Sequence, residues 1–406
     1  MRIVILTLGT HGDVLPFVML GKGLKERGHE VVISTAKNFT GLVASYDLNF
    51  EPVDADFQAM VNSEDGRKMI KNPLNARRNL RTWVYPMINN SLSTFYRLAK
   101  TADKILFHTK TLADCFADQF PGKMIAANVV PVVHPTAAFP NPAFSGLPIP
   151  QILNKRSFAL TAIGLMVMKR PIQHFRKENQ LPDNVVKQDI PAIYGISPAF
   201  LPVPDDYPSN VYYTGFWHLP SETQVAQHVT EFINAGEPPL LITFGSLYFE
   251  TRLNLMKAFR RVISDLRIRL IVVRGWGLSD EHQIVNHPDM IVVDSVPYDK
   301  VLPHVKAVVH HGGIGTIAAC LRAGKTFLPC PVLHPLGDQY FWSTVAYNQK
   351  LCLKPIPLKK MSEDRLVTEI QKLIAADELT ANCKRMQQKL AAEDGIANAV
   401  KMIESF

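Results

Sequence analysis

Cysteine is scarce. The 406 residues hold five, Cys115, Cys320, Cys330, Cys352 and Cys383, odd in number and far apart. There is no CxxC pair or His/Cys cluster, so neither a disulfide framework nor a zinc site is indicated, and reduced thiols in a cytoplasmic setting fit best. Long apolar runs are missing too. The opening MRIVILTLGT is broken at once by Gly-Thr-His-Gly-Asp, too soon for a secretory signal. No stretch of about twenty uncharged apolar residues follows that could span a bilayer. A GxGxxG fingerprint is absent, and Ser34 and Thr35 stand where a dinucleotide site needs its ribose-binding carboxylate, which disfavours a dehydrogenase. Acidic residues are the minority: 36 Asp and Glu against 44 Lys and Arg give a net charge of +8. That balance favours anionic partners such as nucleotide phosphates or an acidic membrane surface. The basic residues are scattered without interleaved aromatics, so nucleic acid is not an expected partner.

What is present suits two globular domains. The apolar fraction of 47% and charged fraction of 20% exclude a predominantly disordered chain, and the length exceeds what one core supports. Residues 3–8 form an apolar run expected of a parallel strand covered on both faces. Residues 15–27 follow with Phe17, Leu20 and Leu24 at helical spacing and Gly28 placed to stop the helix. Further strands are expected over 30–35, 104–108 and 124–130, alternating with helical patterns, which indicates an α/β unit. Residues 196–220 are dense in proline, aromatic and turn residues, with the interdomain linker expected over 201–220. The rhythm restarts with strands expected over 240–243, 268–273, 290–296, 307–311 and 326–332. The expected fold is α/β: two doubly wound, parallel-sheet, Rossmann-like domains facing across a cleft. They cover 1–200 and 221–385, and a C-terminal helical segment over 386–406, bent near 393–395, is expected to pack back on the first.

Two segments of the second half carry a chemical signal. In AVVHHGGIGT a buried strand ends in His310 and His311, and Gly312, Gly313 and Gly315 turn the chain into a helix near Thr316. Glycines allow close backbone approach, and a helix N-terminus offers unpaired N–H groups to an anion. His310 or His311 can add a donor to a phosphate oxygen. Without a ligand the same residues would make an ordinary strand-to-helix turn. The next strand ends in Gly337, Asp338 and Gln339, whose carboxylate and carboxamide suit vicinal sugar hydroxyls; an N-cap Asp beside a solvated Gln is the structural alternative. Both segments lie at C-terminal strand ends, where open α/β sheets bind ligands.

HHGGIGT, LRAGKTFLPCPV and GDQYFW, in this order, together with the N-terminal TLGTHGDVLPFVMLGKGLKERGHEV and YYTGFW, resemble the family-1 glycosyltransferases of the GT-B fold. The sterol and antibiotic glucosyltransferase branch is the most similar, and the likeness runs over the whole chain, poorest at 55–105 and 140–190. The resemblance implies an inverting, metal-independent, cofactor-free transfer of a hexose, glucose from UDP-glucose first among donors, to a hydroxyl of a lipophilic acceptor. By position it puts His310 on the diphosphate, Gly245, Ser246, Gly312, Gly313, Gly315 and Thr316 around the phosphates, Val296 near the nucleobase, and Asp338 and Gln339 on the sugar. Gly12 would border the donor from the opposite loop. Two departures stand out: His334-Pro335-Leu336 lengthens the loop before GDQ, and no tryptophan follows Val296 where plant members stack one on uracil.

Transfer to an alcohol needs a base for the hydroxyl proton. Asp13 matches the family position of that base, His11 two residues earlier is the second candidate, and an N-capping role for Asp13 is the structural alternative. His108, His134 and Phe139 are expected on the acceptor side. The apolar, proline-broken stretch 136–172 suits a lipophilic ligand or a core helix and loop. Lys155, Arg156, Lys169 and Arg170 flank part of it, which is compatible with peripheral contact with an anionic membrane. Two other function classes remain open, a sugar-nucleotide 2-epimerase of the same fold and a non-catalytic nucleotide-sugar or lipid-binding protein.

Overall fold

The computed structural model describes residues 1–54, 84–186, 188–245, 253–275 and 285–406. Its first sheet comprises β1 (Arg2–Leu6), β2 (Glu30–Ala36), β3 (Asn49–Val53), β4 (Lys104–Phe107), β5 (Met124–Asn128), β6 (Ala192–Tyr194) and β7 (Val211–Tyr213). All pairings are parallel, in the order β3-β2-β1-β4-β5-β6-β7. The second sheet comprises β8 (Leu240–Thr243), β9 (Leu270–Val273), β10 (Met290–Val293), β11 (Val308–His310) and β12 (Phe327–Pro329), parallel in the order β10-β9-β8-β11-β12. The central strands are apolar on both faces, as helices on both sides of a parallel sheet require: Ile3, Val4, Ile5 and Leu6 are fully buried, as are Leu240, Leu241 and Ile242.

Strand order reverses between β1 and β4 in the first sheet and between β8 and β11 in the second. At each reversal the two C-terminal loops diverge and open a crevice. The loops at these crevices are 7–13 and 108–112 in one sheet, and those following Thr243 and His310 in the other.

The helices that matter for the site are α1 (His11–Glu26), α2 (Tyr85–Ala99), α3 (Lys169–Glu178), α4 (Ile314–Arg322), α5 (Gln339–Asn348), α6 (Asp377–Ala391) and α7 (Gly395–Ser405). Helix α1 starts earlier than residue 15. Thr10 is its N-cap, and Thr10 and Asp13 form a capping box, so the loop residues His11, Gly12 and Asp13 are the first helical turn. Helix α7 packs on α1: Ile396, Ala399, Val400 and Ile403 enter the same buried cluster as Ile3, Phe17 and Leu20.

One expectation needs correction. Residues 201–220 are not all linker, because β7 lies within them and forms the edge of the first sheet, Val211 pairing with Ala192 and Tyr213 with Tyr194. Three residues between prolines are too short to show a period. The five cysteines are buried, and none is disulfide-bonded.

Candidate active site

The crevice of the first sheet is built around Asp13. Gly9 has φ +139°, and a Cβ there would lie 2.2 Å from Asp13 Oδ2, so only glycine lets the carboxylate fold back over the loop. Oδ2 accepts from the Thr10 N–H at 2.9 Å and from Thr10 Oγ1 at 3.3 Å. Oδ1 accepts from Lys110 Nζ at 2.5 Å. Asp13 is thus the third residue of its helix reaching back to the cap, which corrects the alternative that it is itself the N-cap. Lys110 comes from the turn after β4, 97 residues away, and the two meet because β1 and β4 are neighbours at the strand-order reversal. Burial pushes the Asp13 carboxyl up, but the Lys110 ammonium, with a smaller contribution from His108, outweighs it and holds the group below its usual value. The Lys110 amine is lowered by burial and raised more by Asp13 and Asp338, ending above its usual range.

His11 and Gly12 occupy the first turn of α1 beside Asp13, His11 half-buried with its imidazole pushed down by burial, and Gly12 exposed. His108 is buried behind the crevice, its ring 5.4 Å from Phe17, and burial pushes it down to about 4. It is a neutral core imidazole in the field of Asp13 and Lys110. Nothing in the sequence singles out Lys110, since a lone lysine in a short turn carries no pattern; only the sheet order makes it a neighbour of the base candidate.

The second crevice is lined by glycine. Gly245 follows β8 with φ +79°, and Ser246 lies outside the described residues. His310, expected on the diphosphate, is the last residue of β11. It is fully buried, its ring centroid is 4.8 Å from that of Phe327, and its Nδ1 accepts from the Gly312 N–H at 3.0 Å. Burial drives its imidazole far below the usual value, and its Nε2 has no hydrogen-bond partner among the described residues. The next residue is half-buried rather than fully buried. The His311 ring sits between the two glycine loops: a Cβ on Gly245 would lie 2.6 Å from its Cε1 and one on Gly313 2.5 Å from its Nε2. Strand alternation is the physical reason, since adjacent side chains point to opposite faces and only one of two consecutive histidines can face the crevice. Burial pushes His311 down to about 4, and its Nδ1 has no hydrogen-bond partner among the described residues.

Gly312 packs against Ser343 of α5, Gly313 is the N-cap of α4, and Gly315 and Thr316 fall in the first turn, where helix N–H groups point outward. Val296 is half-buried in the connection after β10, just before Tyr298, whose hydroxyl donates to Thr243 Oγ1 at 3.2 Å.

Asp338 caps the start of α5, and its Oδ2 accepts from Trp342 Nε1 at 3.0 Å. Burial raises its carboxyl, and the field of Lys110 opposes that rise from the other domain. Gln339 has partners within the protein. It is buried, and its Oε1 accepts from the Val332 and Leu333 N–H groups at 2.8 and 2.9 Å, bracing the lengthened loop. Its carbonyl is therefore taken, and only the amide nitrogen remains for a sugar hydroxyl.

The two crevices face each other through direct contact. The Gly337 N–H donates to Ala143 O at 2.8 Å, and Phe139 meets Phe341 with ring centroids 5.2 Å apart. Phe139 is thus a buried bridge between the domains. His134 hydrogen-bonds Tyr194 Oη at 2.7 Å and packs against Tyr207, within a buried tyrosine cluster. Among the described residues no group of three or more His, Cys, Asp and Glu side chains could hold a metal ion, and no helix is long and apolar enough to cross a membrane.

Residues 3–106 match the glycosyltransferase family 28 N-terminal domain. The chain is 27% identical to a sterol 3-beta-glucosyltransferase of Arabidopsis thaliana, over 98% of this chain and 67% of that protein. It is also 27% identical to the O-mycaminosyltylonolide 6-deoxyallosyltransferase of Streptomyces fradiae, over 100% of this chain and 97% of that protein. Yeast sterol 3-beta-glucosyltransferases are longer, and the chain spans 26% of the one from Debaryomyces hansenii at 25% identity. Among solved structures, the kitacinnamycin glycosyltransferase superposes with a TM-score of 0.71 at 15% identity, covering 100% of this chain and 98% of that one. A Streptomyces sp. SF2575 glycosyltransferase solved with thymidine diphosphate superposes with a TM-score of 0.58 at 17% identity, each chain covered in full. The architecture is that of these GT-B enzymes.

Proposed function

We propose that this chain, a glycosyltransferase of the sterol and antibiotic type, moves a hexose from a nucleoside diphosphate onto a hydroxyl of a lipophilic acceptor by single displacement. The acceptor oxygen forms a bond to the anomeric carbon as its proton passes to Asp13. The bond from that carbon to the diphosphate breaks, and its electron pair leaves on the phosphate oxygen. One displacement inverts the anomeric centre. The charge that develops on the diphosphate meets the N-terminus of α4 and the His311 donor, so the leaving group needs no metal. Asp338 and the Gln339 amide nitrogen serve the sugar hydroxyls, and UDP-glucose leads the donor candidates. Nucleoside diphosphate binding in a fold neighbour supports the donor class.

The observation that carries this reading is the buried Asp13 carboxylate paired with Lys110 at 2.5 Å at one strand-order reversal, together with the glycine-lined N-terminus of α4 at the other. The field of Lys110 reaches both Asp13 and Asp338, which supports the reading that the base candidate and the sugar-binding candidate serve one cleft. Lys110 has a definite part in it. Its ammonium, paired with Asp13 at 2.5 Å and in the field of Asp338, favours the deprotonated base and suits contact with the incoming diphosphate. The test is an assay of nucleoside diphosphate release from a panel of sugar donors, with and without hydroxyl acceptors, the products identified by mass spectrometry and NMR. Acceptor-dependent release with a product of opposite anomeric configuration is expected. Release of a 2-epimer without acceptor, or binding without release, would replace this function with the epimerase or the binding protein.

A further inference from the structure

The segment from Ile152 to Arg170 turns apolar side chains outward. Ile152, Leu160, Ile163, Leu165, Met166 and Val167 are 42–89% exposed. This density on a globular surface marks a face that another phase or molecule covers. The segment is not loose: Asn141 Nδ2 donates to Thr161 Oγ1 at 2.8 Å, and the Tyr85 hydroxyl donates to Val167 O at 2.8 Å. Beyond it α3 is anchored by the buried Arg176, which pairs with Asp118 at 2.9 Å. The outward face is therefore held in place by the fold beneath it.

Its charge is one-sided. Lys155, Arg156, Lys169 and Arg170 are exposed at the two ends of the apolar run, and no Asp or Glu occurs in sequence between Asp118 and Glu178. Among the described residues, the carboxylate that pairs with these cations is Asp206, 3.4 Å from Lys155. Apolar side chains ringed by cations match the headgroup region of an anionic bilayer, where the former enter the acyl boundary and the latter meet lipid phosphates. A second copy of the same face would bring four cations against four, which opposes self-association.

We infer that the 152–170 face docks this protein peripherally on the surface of bilayers that contain anionic phospholipid. The site of transfer lies close behind. Asn141, which holds Thr161, opens the turn Pro142–Phe144, and Ala143 of that turn accepts from the N–H of Gly337, next to Asp338. A bilayer-dissolved acceptor would thus leave the membrane beside the cleft. Docking itself needs neither donor nor turnover, so it stands or falls separately from the transferase reading.

The test is flotation of the full chain with vesicles of phosphatidylcholine alone and of phosphatidylcholine mixed with phosphatidylglycerol. The chain should float with the mixed vesicles only, and less at high salt. The pairs Ile163→Glu with Met166→Glu, and Lys169→Glu with Arg170→Glu, should each weaken partitioning roughly tenfold or more. Their thermal unfolding and nucleoside diphosphate binding should match the parent, which separates lost docking from lost folding. A parent chain that ignores both vesicle types, or variants that float like the parent, overturns the inference. So does a dimer in sedimentation velocity that the Glu variants dissolve while vesicle binding is absent.

Discussion

Asp13 combines a burial that raises its pKa with a cation that lowers it further, and the balance leaves an ionised base at neutral pH. Asp13→Asn keeps the shape and the bond to Thr10 but cannot take a proton, so turnover should fall by about 10²–10⁴-fold with folding and donor affinity intact. His11→Ala measured beside it assigns the proton: a dead, folded His11→Ala with near-normal Asp13→Asn would move the role to the histidine. Lys110→Met removes the lowering cause and leaves the burial. The acidic limb of kcat/KM should then move to higher pH, because a base works only while deprotonated; an unmoved limb with reduced kcat would mean that Lys110 acts on the donor alone. The same pair contributes to stability. With the folded pKa below the unfolded one, its contribution is present at neutral pH and is lost as pH falls through the folded value. The consecutive histidines divide by face. His311→Ala should weaken nucleoside diphosphate binding by roughly 1.5–3 kcal/mol in calorimetry. His310→Ala should instead lower stability by about 2–4 kcal/mol, because it empties space beside Phe327. The opposite division of effects would restore His310 to the ligand.

Among the elements, α7 decides how the chain's end is held. Gly23 on α1 faces it so closely that a Cβ there would lie 2.2 Å from Ile396 Cγ2. Gly23→Val should therefore destabilise the protein by about 1–3 kcal/mol through overpacking. Thermal unfolding checks this, and a pair that also carries Ile396→Ala should recover part of the loss. An undiminished transition temperature in Gly23→Val would mean that α7 detaches at little cost. At the other interdomain seam Gly337 and Phe341 meet Ala143 and Phe139, so the start of α5 and the loop before it are tied to the first domain. The loop that Gln339 braces is the one that His334-Pro335-Leu336 lengthens, and the brace explains how extra residues are tolerated next to Asp338.

For the molecule as a whole, the chemistry rests on two sheets whose strand-order reversals look at each other. In the proposed reaction the leaving group is met by N–H groups, His311 and Lys110. Transfer should accordingly proceed at full rate in excess chelator, and a rate that collapses with chelator and returns with manganese would contradict this electrostatic design.

The sequence alone determined the two-unit α/β plan, the glycine turn, the position of Asp13 and the likeness to sterol and antibiotic glucosyltransferases. These are local: periodicity, turn residues and ordered motifs are written along the chain. The short edge strand Val211–Tyr213 escaped it, since three residues make no period and their pairing with β6 supplies what the pattern lacks. Only the tertiary structure separated His310 from His311, because inside and outside are properties of a packed strand. It alone brought Lys110 to Asp13, 97 residues apart in the chain and joined by the adjacency of β1 and β4. It also took the carbonyl of Gln339 away from the sugar, since the partners it found are backbone N–H groups of a loop whose path no motif records.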